Sequence, residues 1–214
     1  TLLSGDVVLR MSAATGASGS DRVSLAGRHA SLARGWLELD DLAWTPLADR
    51  RADSLGLAGV VVDTLALDGV DWEAALTAGD ILVRRVALGG VEVTRTRRAA
   101  GPGGAPAPWS LERFLRALHR TVVIDSADAS AVAVVHPDGV ARTEARRIGI
   151  AALRSGREMA TPGGDLRVVA EGLRHAWGDH RATLGTLVID LSAGRIDLRD
   201  LSYRTTGTDG QFAE

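Results

Sequence analysis

Residues 81 to 93 read Ile-Leu-Val-Arg-Arg-Val-Ala-Leu-Gly-Gly-Val-Glu-Val, and their apolar side chains come in pairs that are two residues apart. The alternation of side chains along a strand places both members of a pair on one face, and Val, Ile and Leu suit a pleated surface. The stretch therefore predicts a long β-strand. Its pairs are Ile81 and Val83, Val86 and Leu88, and Val91 and Val93.

Each pair begins five residues after the previous one, and this step has a consequence for the faces of the strand. In a regular strand, consecutive pairs would point to opposite faces, because a shift of one residue reverses every side chain. A β-bulge at each two-residue spacer (84–85, 89–90 and 68–69) would restore the face and bend the strand. The alternative is a strand buried on both faces in turn, as in an ordinary β-sandwich core.

The same pattern recurs in three other stretches of the chain. They are Val60, Val62, Leu65, Leu67, Val70 and Trp72; Leu37, Leu39, Leu42 and Trp44; and Ile196, Leu198, Leu201 and Tyr203. Most connections between the predicted strands are short, which favours antiparallel pairing. We predict a mainly β fold, in which a long curved antiparallel sheet forms an apolar groove and is accompanied by one or two short helices.

A low-complexity segment divides the chain. Residues 99–108 contain only Ala, Gly and Pro, and this composition predicts a flexible linker. Residues 1–98 are then a first β-unit, and residues 109–214 are a helix, capped by Ser110, followed by a second β-unit. Because the chain begins without Met, we expect residues 1–214 to be one β-rich segment of a larger protein.

Two local features of the first unit are also predicted. Residues 72–76 are long enough for one helical turn, and Gly79 follows them as a stop. Residues 12–20 are small and rich in glycine, so we interpret them as a loop.

Composition limits the classes of function. The 214 residues carry a formal net charge of −2, with 45% hydrophobic and 24% charged residues. This balance is typical of a soluble globular chain and offers no broad electrostatic attraction to nucleic acid. The sequence has no cysteine, so disulfides and thiolate chemistry are excluded. No apolar run reaches the ~20 residues that span a bilayer.

Candidate catalytic and metal-binding groups do not form a known pattern. His175, Asp179 and His180 are close in sequence but match no zinc signature, and no Gly-x-Ser-x-Gly elbow is present. We expect no catalytic residue, no metal ligand and no cofactor, and we interpret arginine pairs such as Arg84-Arg85 as solubilising surface. Four carboxylates fall at polar positions of the strand motifs, and their spacing alone does not exclude that two of them form the catalytic pair of a glycosidase. They are Asp40, Asp41, Asp197 and Asp200.

One stretch resembles a known family. Residues 70–95, Val-Asp-Trp-Glu-Ala-Ala-Leu-Thr-Ala-Gly-Asp-Ile-Leu-Val-Arg-Arg-Val-Ala-Leu-Gly-Gly-Val-Glu-Val-Thr-Arg, are similar to a strand, short helical turn and strand of the AsmA-like proteins of bacterial envelopes. Residues 99–119 resemble the flexible segment and small helix that follow in that family, and residues 187–203 resemble its returning hairpins. The family often has Pro where Gly90 or Val91 stands here.

The resemblance implies a function without enzymatic chemistry. In this family of the bridge-like lipid-transfer superfamily, a repeating β-groove shields lipid acyl chains on an apolar concave face, in lipid transport or outer-membrane assembly. We therefore expect a periplasmic or cell-envelope protein, anchored in the inner membrane through a part outside this segment. The expected partners are phospholipid or another envelope lipid and other envelope proteins, but not nucleic acid. The expected groove residues are Leu37, Leu39, Val62, Leu65, Leu67, Val83, Val86, Leu88, Val91, Val93, Val168, Ile196 and Leu198.

Two other classes remain open. A structural or adhesive β-module, either a sandwich or a β-solenoid, explains the repeat without lipid, although pentapeptide solenoids need small residues where this chain has Val, Ile or Leu. A carbohydrate-active β-enzyme requires a cleft with two facing carboxylates. An open apolar face favours the lipid hypothesis, whereas a filled, closed core favours the structural module.

Overall fold

A computed structural model of the chain describes residues 8–11, 13–18, 21–46, 57–95, 121–137, 139–155 and 165–205. Within these ranges the chain forms twelve strands and one short helix, which confirms the predicted mainly β fold. The strands are β1 (Val8–Met11), β2 (Ala14–Ser18), β3 (Asp21–Leu25), β4 (Gly27–Ser31), β5 (Trp36–Pro46), β6 (Leu57–Val70), β7 (Ile81–Arg95), β8 (Val122–Val135), β9 (Arg142–Ser155), β10 (Arg167–Trp177), β11 (His180–Asp190) and β12 (Arg195–Thr205), and the helix is α1 (Trp72–Thr77). The predicted linker and the helix after Ser110 lie outside the described residues.

All twelve strands belong to one open sheet that curves without closing. Neighbours follow the order β1-β4-β5-β6-β7-β8-β9-β10-β11-β12, and the β2–β3 hairpin is attached through β3, which pairs with β5. Strands from β5 onwards are 11 to 15 residues long. In the ranges that the structure describes, the chain therefore forms a single layer rather than the two packed sheets of a sandwich.

One pair of strands departs from the predicted antiparallel arrangement. β7 and β8 are parallel, with Ile81 opposite Val122 and Thr94 opposite Val135. A parallel pair needs a connection that returns to the starting end of the sheet. That connection is the stretch between Arg95 and Thr121, which holds the predicted linker and helix. The sequence prediction was wrong for this pair because it interpreted the stretch as a boundary between two units.

A line of interrupted pairs crosses the sheet from β5 to β12, and we call it the first interruption line. Between β6 and β7, Val62 pairs with Val91 and Thr64 pairs with Gly89, so Asp63 and Gly90 face each other outside the ladder. The register is the same on both sides of the gap. The corresponding residues in chain order are Asp41, Asp63, Gly90, Ala131, Arg146, Gly172, Gly185 and Asp200.

At this line, residues with left-handed backbone occur only on the strands that run in one of the two directions. The strands β5, β7, β8, β10 and β12 run the same way, and each has a residue with positive φ at the line. The oppositely directed strands β6, β9 and β11 have none there. The angles are 50° at Asp41, 60° at Gly90, 51° at Ala131, 62° at Gly172 and 58° at Asp200.

A second interruption line lies six residues away on β6 to β9. Gly69 of β6 faces Arg84 of β7, and Asp125 of β8 faces Ala152 of β9. Here the positive φ angles fall on the other strand direction, with 70° at Gly69 and 56° at Ala152. The two lines thus place a left-handed residue on one strand of each antiparallel pair and an ordinary residue on its neighbour.

The interruptions account for the five-residue repeat. Leu88 lies before the first line, and Val91 and Val93 lie after it, yet all three pack in one hydrophobic cluster. Regular alternation would have placed Leu88 and Val91 on opposite faces. Of the two solutions that the sequence leaves open, restoration of the face at residues 89–90 is therefore the one observed. The geometry differs from the predicted bulge, because one residue is left out on each strand instead of two opposing one.

Helix α1 and strand β2 test the two local predictions. The Asp71 carboxylate caps α1 by accepting a hydrogen bond from the backbone N–H of Ala74 at 2.9 Å, and Gly79, with φ of 72°, follows the helix. The helical turn and its stop are confirmed. The loop prediction for residues 12–20 was wrong over Ala14–Ser18, which form β2. Backbone pairing with β3 outweighs the low strand propensity of small residues there.

Replacement of Gly90 by Ala should destabilise the protein by about 1–3 kcal/mol, because a Cβ at φ of 60° is strained and would overlap the Asp63 carboxylate. Gly149→Ala is the matched control, since Gly149 is also inside a long strand but has no positive φ, and the nearest atom to its added Cβ is at 3.5 Å. That control should change stability by less than about 1 kcal/mol. Urea unfolding measures both variants, and equal effects would contradict the role of the interruption.

Candidate functional site

Four rows of cross-strand neighbours cover one side of β5 to β12, and we call them the apolar face. The first row is Leu37, Leu67, Val86, Ala127, Ile150, Val168, Ile189 and Ile196; the second is Leu39, Leu65, Leu88, Ala129, Ile148, Ala170, Leu187 and Leu198. Beyond the first interruption line, the third is Leu42, Val62, Val91, Val132, Ala145, Leu173, Leu184 and Leu201, and the fourth is Trp44, Val60, Val93, Val134, Thr143, His175, Ala182 and Tyr203.

The chemistry of these rows is uniform. None of the positions is Asp, Glu or Arg, and the first three rows contain only aliphatic side chains. With about 3.3 Å per residue and about 4.8 Å between strands, the face measures about 25 Å by 35 Å. Half of a bilayer's hydrocarbon core is about 15 Å thick, so acyl chains of that length fit on it in either direction.

Burial on the apolar face decreases from the centre of the sheet towards β12. Val62, Val91, Val132 and Ala145 are 5–9% exposed and form a cluster, although no second layer of described residues covers them. In β12, which pairs only with β11 among the described strands, the corresponding residues are open to solvent. Ile196, Leu198, Leu201 and Tyr203 are 57–69% exposed. The centre is therefore the structural core, and the β12 end is accessible apolar surface.

The residues predicted from the sequence come together on this face. Twelve of the thirteen lie in the four rows, and Val83, 4% exposed, lies beyond the second interruption line, opposite Val70 and Ile124. The prediction omitted the contributions of β8, β9 and β11. The signal was present, because residues 122 and 124, 127 and 129, and 132 and 134 repeat the paired spacing in β8 with Ala at two positions.

The opposite side of the sheet, the polar face, carries ion pairs. The Arg147 guanidinium donates to Asp128 Oδ1, with Nε at 2.8 Å, and the Arg146 Nη2 lies 3.1 Å from Glu171 Oε2. The hydrogen bond and charge of Asp128 raise the pKa of Arg147. At the β11–β12 turn, hydrogen bonds from the Ser192 hydroxyl and the Ala193 N–H lower the pKa of Asp190. The sheet is thus clearly two-sided.

Sequence reasoning missed an aromatic group at the end of the fourth row. The Trp177 ring lies between His175 and His180, with centroids 4.8 and 5.2 Å away, and Tyr203 Oη is 2.7 Å from His180 Nδ1. Thr143 Oγ1 lies 3.1 Å from the Nε2 of the nearby His136 and 2.7 Å from the Nδ1 of His175, a residue far from it in sequence. In the described ranges, no three His, Asp or Glu side chains are grouped to hold a metal ion.

The carboxylates of the strand motifs have structural positions. Asp41 and Asp200 are left-handed residues of the first interruption line, a conformation that Asp tolerates better than most residues. Asp197 pairs with Arg195 at 2.6 Å. The Asp40 carboxylate lies over Gly27, where an added Cβ would be 2.9 Å from Oδ2. In the register of the described strands, none of these carboxylates is opposite another.

Comparisons with protein-family models and with curated proteins found no match to this chain. Among the residues that the structure describes, no helix has the length and apolar character needed to cross a membrane. The candidate site is therefore defined by the geometry of the apolar face.

Truncation of Val91 to Ala should lower the free energy of unfolding by about 2 kcal/mol, because it opens a space in the central cluster. Leu201→Ala removes more atoms from the same row, but Leu201 is 69% exposed, so its cost should stay below about 0.5 kcal/mol. Chemical denaturation of the two variants measures the difference. A larger loss for Leu201 would mean that β12 is covered in the native protein.

Proposed function

We propose that this chain is a non-enzymatic segment of an AsmA-like envelope protein, whose apolar face shields lipid acyl chains during lipid transport or outer-membrane assembly. The observation that carries the proposal is an open sheet with four rows free of charged side chains across eight strands. At the β12 end of this face Ile196, Leu198, Leu201 and Tyr203 are 57–69% exposed, and contiguous exposed apolar side chains mark interaction sites.

Acyl chains fit this surface better than a specific small ligand does. The first three rows offer only aliphatic contacts, so hydrocarbon is stabilised by about 0.8 kcal/mol for each buried CH₂ group without a directional hydrogen bond. Polar side-chain atoms occur only in the fourth row, at Trp44, Thr143, His175 and Tyr203. A lipid would place its hydrocarbon over the aliphatic rows and its polar part towards that edge.

The proposal assigns the chain to the periplasm or cell envelope. The anchor in the inner membrane belongs to a part of the protein outside this segment, and phospholipid or another envelope lipid is the cargo. Other envelope proteins are its protein partners. These assignments follow from the resemblance of residues 70–95 and 187–203, together with the apolar face.

A second candidate is a structural or adhesive β-module. It is favoured by β12, which is the last strand in the described strand order and exposes Ile196, Leu198 and Leu201 at 57–69%. Such an edge can add a strand from another protein. In that case the apolar face would be covered by protein instead of lipid.

Leu187→Asp should lower the amount of lipid that is recovered with the purified protein by about tenfold, because it places a charge in the second row of the apolar face. Val188→Asp is the matched control. Val188 is the next residue, is also half-buried, and points to the polar face between Val169 and Asp197. Quantitative mass spectrometry of extracted lipid measures both variants after circular dichroism has shown that they are folded.

Two results would count against the proposal. If the wild-type protein is purified without any associated lipid, lipid is not its cargo. If both variants lose the same amount of lipid, the apolar face is not the lipid-binding site. A photocrosslinking amino acid at Leu198 provides a second readout with Arg199 as its control, since these neighbours lie on opposite sides of β12. Crosslinks to protein at Leu198, in place of lipid, would favour the structural module.

A further inference from the structure

A block of arginines occupies the polar face of β10, β11 and β12. In one row, Arg174 is opposite Thr183, which is opposite Ser202; in the next row, Arg181 is opposite both Ala176 and Arg204. Residues two apart on a strand share a face, so the two rows lie side by side. We call these six residues the arginine block.

The three guanidinium groups of the block lack ionic partners. Within the described part of the chain, Arg174, Arg181 and Arg204 make no ion pair with a carboxylate. The nearest acid in register is Glu144, which is opposite Arg174. Its Oε1 instead accepts a hydrogen bond from Arg142 Nε at 2.8 Å. The block is thus a local excess of positive charge on a chain of nearly neutral net charge.

The register places two of these charges in direct opposition. Arg181 and Arg204 are cross-strand partners, and like charges in this arrangement destabilise a sheet. Beside them, Thr183 Oγ1 and Ser202 Oγ are 2.7 Å apart and provide hydroxyl groups on the same surface. A depression of about 280 Å³ beside Ala176 is lined by Arg142, Arg174, Arg181 and Thr183, and also by Glu144.

We infer that the arginine block binds a phosphate group. Guanidinium groups form paired, charge-assisted hydrogen bonds with phosphate oxygens, and a dianion would neutralise the repulsion between Arg181 and Arg204. The Thr183 and Ser202 hydroxyls are further donors. The block lies on the side of the sheet opposite the apolar face, so this inference does not depend on acyl-chain binding. A free phosphate and the headgroup of an anionic phospholipid share the required chemistry.

The first arm of the test uses inorganic phosphate. Phosphate at constant ionic strength should raise the melting temperature of the wild-type protein and bind saturably in calorimetry, because a ligand of the native state stabilises it. Arg204→Gln and Arg181→Gln should each weaken this binding at least tenfold. Arg199→Gln is the matched control: Arg199 is exposed on the same strand and face, opposite Thr186, and its replacement should change affinity by less than twofold.

The second arm uses vesicles to identify the source of the phosphate. Flotation with phosphatidylglycerol vesicles, but not with phosphatidylcholine vesicles, and its loss in Arg204→Gln would support the site and assign it to a lipid headgroup. Binding of inorganic phosphate without flotation would support the site and assign it to a soluble phosphate. The inference is overturned if neither probe binds, or if Arg199→Gln loses as much binding as Arg204→Gln.

Discussion

The alternation of side chains along a strand is the constraint on which this structure depends. Apolar pairs repeat every five residues, an odd step, whereas a regular strand returns to the same face after an even number. The first interruption line resolves the conflict by leaving one residue out of the ladder on each strand, as Asp63 and Gly90 are left out between β6 and β7. Because every strand from β5 to β12 is interrupted at the same level, the faces stay matched across the sheet.

The matched faces explain how a single layer obtains a core. Cross-strand neighbours stabilise a sheet pair by pair, and the long ladders of β6 to β9 supply many such pairs. The central cluster around Val91 packs against partly buried residues of the same face, among them Leu65 and Leu88. At β12 the same row continues through Leu201, which is 69% exposed and lies on a strand that pairs only with β11 in the described ranges. Stability and accessible apolar surface therefore occupy different parts of one face.

Much of this could be predicted from the sequence, because the decisive information is local. The paired spacing indicated long strands and an irregularity at residues 89–90 that keeps the apolar side chains on one face. The sequence also indicated the helical turn that lies between Asp71 and Gly79. The parallel pairing of β7 with β8 could not be predicted, since it depends on where a long connection returns the chain. The left-handed conformation of Ala131 and Ala152 could not be predicted either, because alanine has no local preference for positive φ.

In the candidate site, too, some features could be predicted from the local sequence and others could not. Twelve predicted residues lie on the apolar face because their spacing encodes it, whereas the contact of Thr143 with His175 and the opposition of Arg181 and Arg204 arise from register. Register joins residues that are distant in sequence, and no spacing rule within one strand contains it. A search for the paired spacing with Ala allowed would have found β8 as well.

The placement of the left-handed residues also limits how two copies of this protein can meet. If two β12 strands paired antiparallel with Asp200 opposite Asp200, Leu201 of one copy would oppose Arg199 of the other, although these residues point to different faces. If Leu198 were instead aligned with Leu201, the gaps in the two ladders would no longer coincide. Antiparallel joining of two β12 edges is thus mismatched in both of these alignments, which disfavours self-pairing at an exposed apolar edge.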